Sequence, residues 1–213
     1  MEDLAAYVYA VMAHPGYQRT FATELTTPGP RIPITTDPAI FQEAVAFGSR
    51  LLWLHTWGDR YRGKDRGAHV PVSVGWSASV TTLPSGSDQI SYDADSHEIH
   101  VGDGIVTGVR REVWEFSISG FPVVQRWLQS RTASGVGRSS SPSFAQPLDK
   151  IRPIAWEDEW NDELLELLSV LTLTIDGYHG QAELLDRIRA TELITASELP
   201  EPTAAERKVP KTI

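Results

Sequence analysis

Arg126, Gln129 and Arg131 stand three and two residues apart in VVQRWLQSR, a stretch that opens on two valines. The planar guanidinium of arginine can hold a guanine edge or a phosphate through paired hydrogen bonds. A second set, Arg60, Arg62, Lys64 and Arg66, alternates with acidic and small residues in WGDRYRGKDRG. Cations spaced this way suit phosphate contacts, which give affinity that falls as salt rises. Arg110, Arg111 and Arg138 extend the first set. The ordinary reading of any one such island is a solvated surface, so the elements that carry it decide its meaning.

Valines 123 and 124, Trp127 and Leu128 share one face of a helix expected over 122–130. Arg126 and Gln129 then look outward and Trp127 is expected in the core. VWEFSIS, residues 113–119, alternates like a strand and breaks at Gly120. Upstream, Val72, Val74, Trp76, Ala78 and Val80 have the period of a strand. Residues 90–101 read as a hairpin turning at 93–96, and Gly102-Asp103-Gly104 reads as a further turn before a strand at 105–106. Helices are expected at Glu2–Ala13, with a face of Leu4, Tyr7, Val8 and Val11, at 17–25, and from Asp37-Pro38 to His55. Asp37 there has the character of an N-cap and Pro38 of a first-turn residue. Pro28-Gly29-Pro30 and Pro33 enforce an extended linker. Trp156 and Trp160 flank an acidic helix start, an apolar helix follows over 160–173, and a short one over 181–190. TASGVGRSSSPSFAQP (132–147) and the residues beyond about Ser197 read as polar loop and disordered tail.

Charge is unevenly placed along the 213 residues, whose formal total is −9. Residues 50–66 hold five basic and two acidic groups, and residues 110–152 hold seven and three. Residues 153–206 hold two basic and thirteen acidic groups, so the acidity is a C-terminal property and local basic faces survive it. A hydrophobic content of 41% with seven tryptophans supports a true core. Cysteine is absent, which rules out disulfides and thiolate metal sites. No apolar run reaches the length of a membrane span and the N-terminus lacks the pattern of a secretory signal, so a cytoplasmic location is expected.

Several chemistries fail on their motifs. No P-loop, no glycine-rich methyl-donor turn and no Asn/Asp-Pro-Pro-aromatic motif occurs, and Thr36-Asp37-Pro38-Ala39 does not replace the last. Asp93, Asp95, His97 and His100 crowd one hairpin, but Asp and Ser are ordinary turn residues there, and no metal is expected. Ser139–Ser141 lack a base at a recognisable spacing. Glu157, Asp158, Glu159, Asp162 and Glu163 fit a helix N-terminus, where the macrodipole favours acids. His55 ends an apolar helix face and reads as a packed or capping residue. Trp53 and Trp76 read as core. No cofactor is expected.

Several segments, in order, resemble the C-terminal specificity region of Type ISP restriction-modification enzymes. They are LAAYVYAVMAHPGYQRTF, PRIPIT, FQEAVAFGSRLLWLHT, YDADSHEIHVGDG, RREVWEFSISGFPVVQRWLQSR, PLDKIRP and WNDELLELLSVLT, spanning roughly residues 4–190. The resemblance implies a non-catalytic target recognition domain that reads double-stranded DNA. Its partner would be an N6-adenine methyltransferase domain of the same or a neighbouring polypeptide, with a translocase and nuclease elsewhere. The chain would then be a fragment, a split subunit or a gene remnant.

The expected fold is α+β, a mostly antiparallel central sheet flanked by N-terminal and C-terminal helices. Residues 1–56 would join the methyltransferase side, 57–193 would form the recognition domain and 194–213 a tail. The DNA contacts expected are Arg60, Arg62, Lys64, Arg66, Arg110, Arg111, Arg126, Gln129, Arg131 and Arg138, with the acidic C-terminal helix facing away from DNA or packed on a partner. A protein-interaction module without DNA-reading activity is the alternative. A standalone nuclease finds no carboxylate–lysine core to support it.

Overall fold

A computed structural model describes residues 2–27, 31–56, 74–133, 153–201, 203 and 207–208. The chain is α+β and divides into two units, one of residues 1–53 with 177–213 and one of residues 54–176. The core of the N-terminal helices also takes in Leu184, Leu185 and Ile188.

In the first unit, α1 (Glu2–Met12), α2 (Pro15–Thr20) and α3 (Pro38–His55) pack with the end of α6 (Glu159–Arg189). The face that α1 buries is Ala6, Tyr7, Ala10 and Val11; Leu4, expected on it, is 46% exposed. Two alanines replace larger residues on that face because α3 comes very close. A Cβ on Gly48 would collide with the Ala6 carbonyl oxygen, so only glycine fits there. Tyr7 does the polar work of this core. Its hydroxyl donates to the Pro33 carbonyl at 2.8 Å and accepts the Thr35 N–H at 3.2 Å, while its ring stacks on Phe41 at 4.8 Å. The 31–36 segment is thereby held extended, and the Thr36 and Ile194 amides bond across to Glu192 and Ile34. Asp37 Oδ1 accepts the N–H groups of Ala39 and Ile40, the N-cap expected for α3.

The apolar runs at 160–173 and 181–190 are one helix, not two. Gly177 and Gly180 stay helical because their bare faces lie against the Phe47 ring. The Ser169, Thr172 and Thr174 hydroxyls donate to carbonyls four residues back, so they are satisfied within the helix.

The second unit is built on a four-stranded antiparallel sheet in the order β1-β4-β3-β2, from β1 (Gly75–Ala78), β2 (Ile90–Asp93), β3 (Glu98–Val101) and β4 (Gly104–Thr107). The strand expected to run to Val80 stops at Ala78, because a register shift between Trp76 and Ala78 breaks its alternation. Trp76 is only half-buried, against the core, and Trp53 in the first unit is half-buried too. Ile99, Val101 and Val106 bury one face of the sheet, against Leu164, Leu167, Leu168 and Leu171 of α6. Those leucines recur at three, four and seven residues, one stripe of a helix.

VWEFSIS is not a single strand. Arg111–Trp114 form a helical turn, α4, and only Ser117–Ile118 form a strand, β5. Val113 goes into the core and Trp114 stacks on Tyr92 at 5.5 Å, so packing overrides the β preference of the local sequence. β5 pairs with β6 (Phe121–Pro122), which leads straight into α5 (Val123–Gln129).

Asn161, in the first turn of α6, joins these layers. Its Oδ1 accepts the Val80 N–H at 3.2 Å and the Trp156 indole N–H at 3.2 Å, and its Nδ2 donates to the Val80 carbonyl at 3.2 Å. Its own carbonyl accepts the Trp76 indole N–H at 3.1 Å. One side chain thus satisfies both backbone groups of fully buried Val80. Asn161→Ala leaves buried donors and an acceptor unpaired, each costing roughly 1–3 kcal/mol. We expect a loss of about 2–4 kcal/mol of unfolding free energy in urea melts followed by tryptophan emission, where a change under about 0.5 kcal/mol would contradict the role.

Candidate nucleic-acid interface

Arg60, Arg62, Lys64, Arg66 and Arg138 lie outside the described residues. The other five candidates belong to the second unit, and they do not share one environment. Arg110 precedes α4, and its Nη2 lies 2.7 Å from Asp176 Oδ1 and 3.3 Å from the Thr172 carbonyl. Arg111 is exposed and pairs with Glu115 one turn on, at 2.8 Å. Each of these charges is compensated by a neighbouring carboxylate.

Arg131 is held more firmly still. Its guanidinium lies 3.6 Å from the centre of the Trp127 ring and 5.2 Å from that of Trp160. Nη2 donates to Glu163 Oε2 at 3.1 Å and Nη1 to the Trp127 carbonyl at 3.3 Å. Burial draws its pKa below the ordinary arginine value while Glu163 opposes the shift, and the side chain is only 22% exposed. A guanidinium used this way ties α5 to the start of α6 and has few donors left for a ligand. Trp127 is half-buried beneath it, while Val124 and Leu128 supply the fully buried face of α5.

Arg126 differs from the rest. It is exposed on α5 and makes no ion pair with a described residue. Gln129, one turn on, is half-buried, and its carbonyl accepts the Thr132 hydroxyl at 3.0 Å. Among the described residues, then, the uncompensated positive charge of this stretch is that of Arg126. The acids opposite the other arginines, Asp176 and Glu163, come from α6. Two carboxylates of the helix expected to face away from DNA or to pack on a partner thus pair with Arg110 and Arg131.

The remaining candidates take structural parts. Asp93 Oδ1 accepts the N–H groups of Asp95 and Ser96, which closes the β2–β3 turn and lowers its pKa. His97 adopts φ 57° in that turn and His100 pairs with Glu98 at 3.7 Å. Among the described residues no group of three or more His, Cys, Asp or Glu side chains is gathered to hold a metal. His55 Nε2 lies 2.8 Å from the Thr174 hydroxyl, and burial lowers its pKa. Among the described residues no helix is long and apolar enough to cross a membrane.

Two features were not expected from the sequence. One is Asn161, a polar residue in an acidic run with no pattern to mark it. The other is the β5–β6 ribbon, where Ile118 is 61% and Phe121 63% exposed. The Ser119-Gly120 dipeptide between them is a turn signal that could have located it.

A family model described as the Type ISP C-terminal specificity domain matches residues 1–167. The chain belongs to that family. Solved structures with the fold of this specificity domain include a cryo-EM DrdV–DNA complex, 20% identical with a TM-score of 0.51, covering 90% of this chain and 18% of that one. Another is a nuclease-deletion mutant of the Type ISP enzyme LlaGI with a DNA substrate mimic, 17% identical with a TM-score of 0.51, over 91% and 14%. A third is the ATP-dependent Type ISP enzyme LlaBIII bound to DNA, 16% identical with a TM-score of 0.53, over 91% and 11%. The specificity domain thus spans less than a fifth of each of those chains. No curated protein matches it.

The two arginines flanking Trp127 in this domain should separate in a stability measurement. Arg131→Ala removes a stacked, ion-paired guanidinium and should cost about 1–2 kcal/mol in urea melts. Arg126→Ala should change stability by less than about 0.5 kcal/mol. Equal effects would contradict the division of roles.

Proposed function

We propose that this specificity domain recognises a duplex DNA sequence on behalf of a Type ISP restriction-modification enzyme. It would position the duplex for an N6-adenine methyltransferase and a translocase-nuclease located elsewhere in the same or a neighbouring polypeptide, and would itself be non-catalytic. The observation that carries the reading is the family match over residues 1–167. The three similar solved structures are DNA complexes, which supports it. Its place of work would be the cytoplasm.

In this reading α5 presents Arg126, with Gln129 beside it, to base edges. Arg138 is a further candidate base reader, and Arg60, Arg62, Lys64 and Arg66 supply phosphate contacts, which set affinity and register without reading sequence. Arg110, Arg111 and Arg131 act chiefly within the domain, because their charges are already met by Asp176, Glu115 and Glu163.

The test is duplex binding by the purified chain over a salt series, first with a random pool and then with the sequences it enriches. Affinity should fall steeply with salt. Arg126→Ala should weaken binding to an enriched duplex by about 1–3 kcal/mol and relax the preference at one position. Absence of binding at low salt would contradict the reading and favour a protein-interaction module.

A further inference from the structure

The β5–β6 ribbon places two large apolar side chains in water. Ile118 and Phe121 are direct cross-strand partners, 61% and 63% exposed. Ser119 at φ 51° and Gly120 at φ 80° connect them, the φ signature of a type I′ turn, whose twist matches that of a two-stranded ribbon. Glycine accepts that φ freely and serine does not, so the chain bears a strained residue to make the ribbon narrow. A Cβ on Gly120 would meet no described atom within 4 Å. The base of the ribbon, by contrast, is fixed. The Val123 amide bonds to the Phe116 carbonyl at 2.9 Å, and Val113 and Val124 on either side are fully buried.

We propose that Ile118 and Phe121 form an apolar wedge that enters duplex DNA at a base step beside the bases reached from α5. The proposal rests on the DNA-reading function above. Two observations favour DNA over a protein surface. The patch is small: two opposed side chains fall far short of the roughly 800 Å² a stable protein interface buries on each partner, whereas a wedge needs only one or two. The charge around it also suits a polyanion. Arg126 follows on the adjoining helix without an ionic partner among the described residues, and Glu115, just before the ribbon, is held by Arg111 at 2.8 Å. Strands in a ribbon lie about 4.8 Å apart, narrow enough for a DNA groove. The wedge would unstack one step and recover, in the dry base stack, the apolar burial that the fold itself forgoes.

The experiment compares the full chain with its Ile118→Ser/Phe121→Ser variant on an enriched duplex scanned with 2-aminopurine. Both side chains are outside the core, so the variant should keep the parent melting profile. The parent should raise 2-aminopurine emission at one step. The variant should lose that rise and bind about tenfold more weakly. Its salt slope should be unchanged, since an apolar contact releases no counterions. Parent-like affinity and emission in the variant would overturn the wedge while leaving the DNA reading intact. So would a variant that binds duplex normally but no longer associates with a methyltransferase partner, which would assign the ribbon to protein docking. A parent chain that binds no duplex at all would overturn both.

Discussion

The second unit depends on a single carboxamide. Val80 leaves the sheet after a register shift, so its backbone groups have no strand to bond to, yet it is fully buried. Asn161 supplies the missing strand edge, one donor and one acceptor at 3.2 Å each. Because Asn161 sits in the first turn of α6, the same contact sets where the leucine stripe of that helix meets the sheet. The Trp76 and Trp156 indoles bond to the same residue, so both rings are registered against it as well. With that helix fixed, Glu163 is in place to hold Arg131, and Arg131 in turn lies over α5 through Trp127.

This chain of contacts changes how the charges are read. The basic island and the acidic C-terminal segment look separate along the sequence. In space Asp176 and Glu163 neutralise Arg110 and Arg131, with ion pairs of 2.7 and 3.1 Å. Among the described residues, these arginines are therefore held within the domain by their own acids. Among the described residues of this stretch, the guanidinium without an ionic partner is that of Arg126 on α5, and the apolar ribbon adjoins it.

Much of the fold was legible because local physics and packing agreed. Asp37-Pro38 started α3, residues 90–101 formed a hairpin, and Gly102 made the next turn at φ 57°. The errors fall where packing overrode local pattern. VWEFSIS alternated like a strand, but burial of Val113 and stacking of Trp114 wound its first part into a helical turn. Separate helices were expected over 160–173 and 181–190, but the chain stays helical through Gly177 and Gly180, against which Phe47 packs. At the candidate site the residue types were legible and their states were not. Arg126 and Arg131 are alike in sequence, and what separates them is the Glu163 carboxylate and the Trp127 and Trp160 rings gathered around Arg131. The ribbon was hidden for a related reason, since whether Ile118 and Phe121 are core or surface depends on what covers them.

In the proposed function, DNA is read from the α5 side of the second unit. Hydrogen–deuterium exchange of the chain, free and bound to an enriched duplex, addresses it most directly. Slowed exchange is expected over residues 117–129, with little change in α1 and α3. Saturating duplex that leaves residues 117–129 unprotected, and protects the first unit instead, would contradict it.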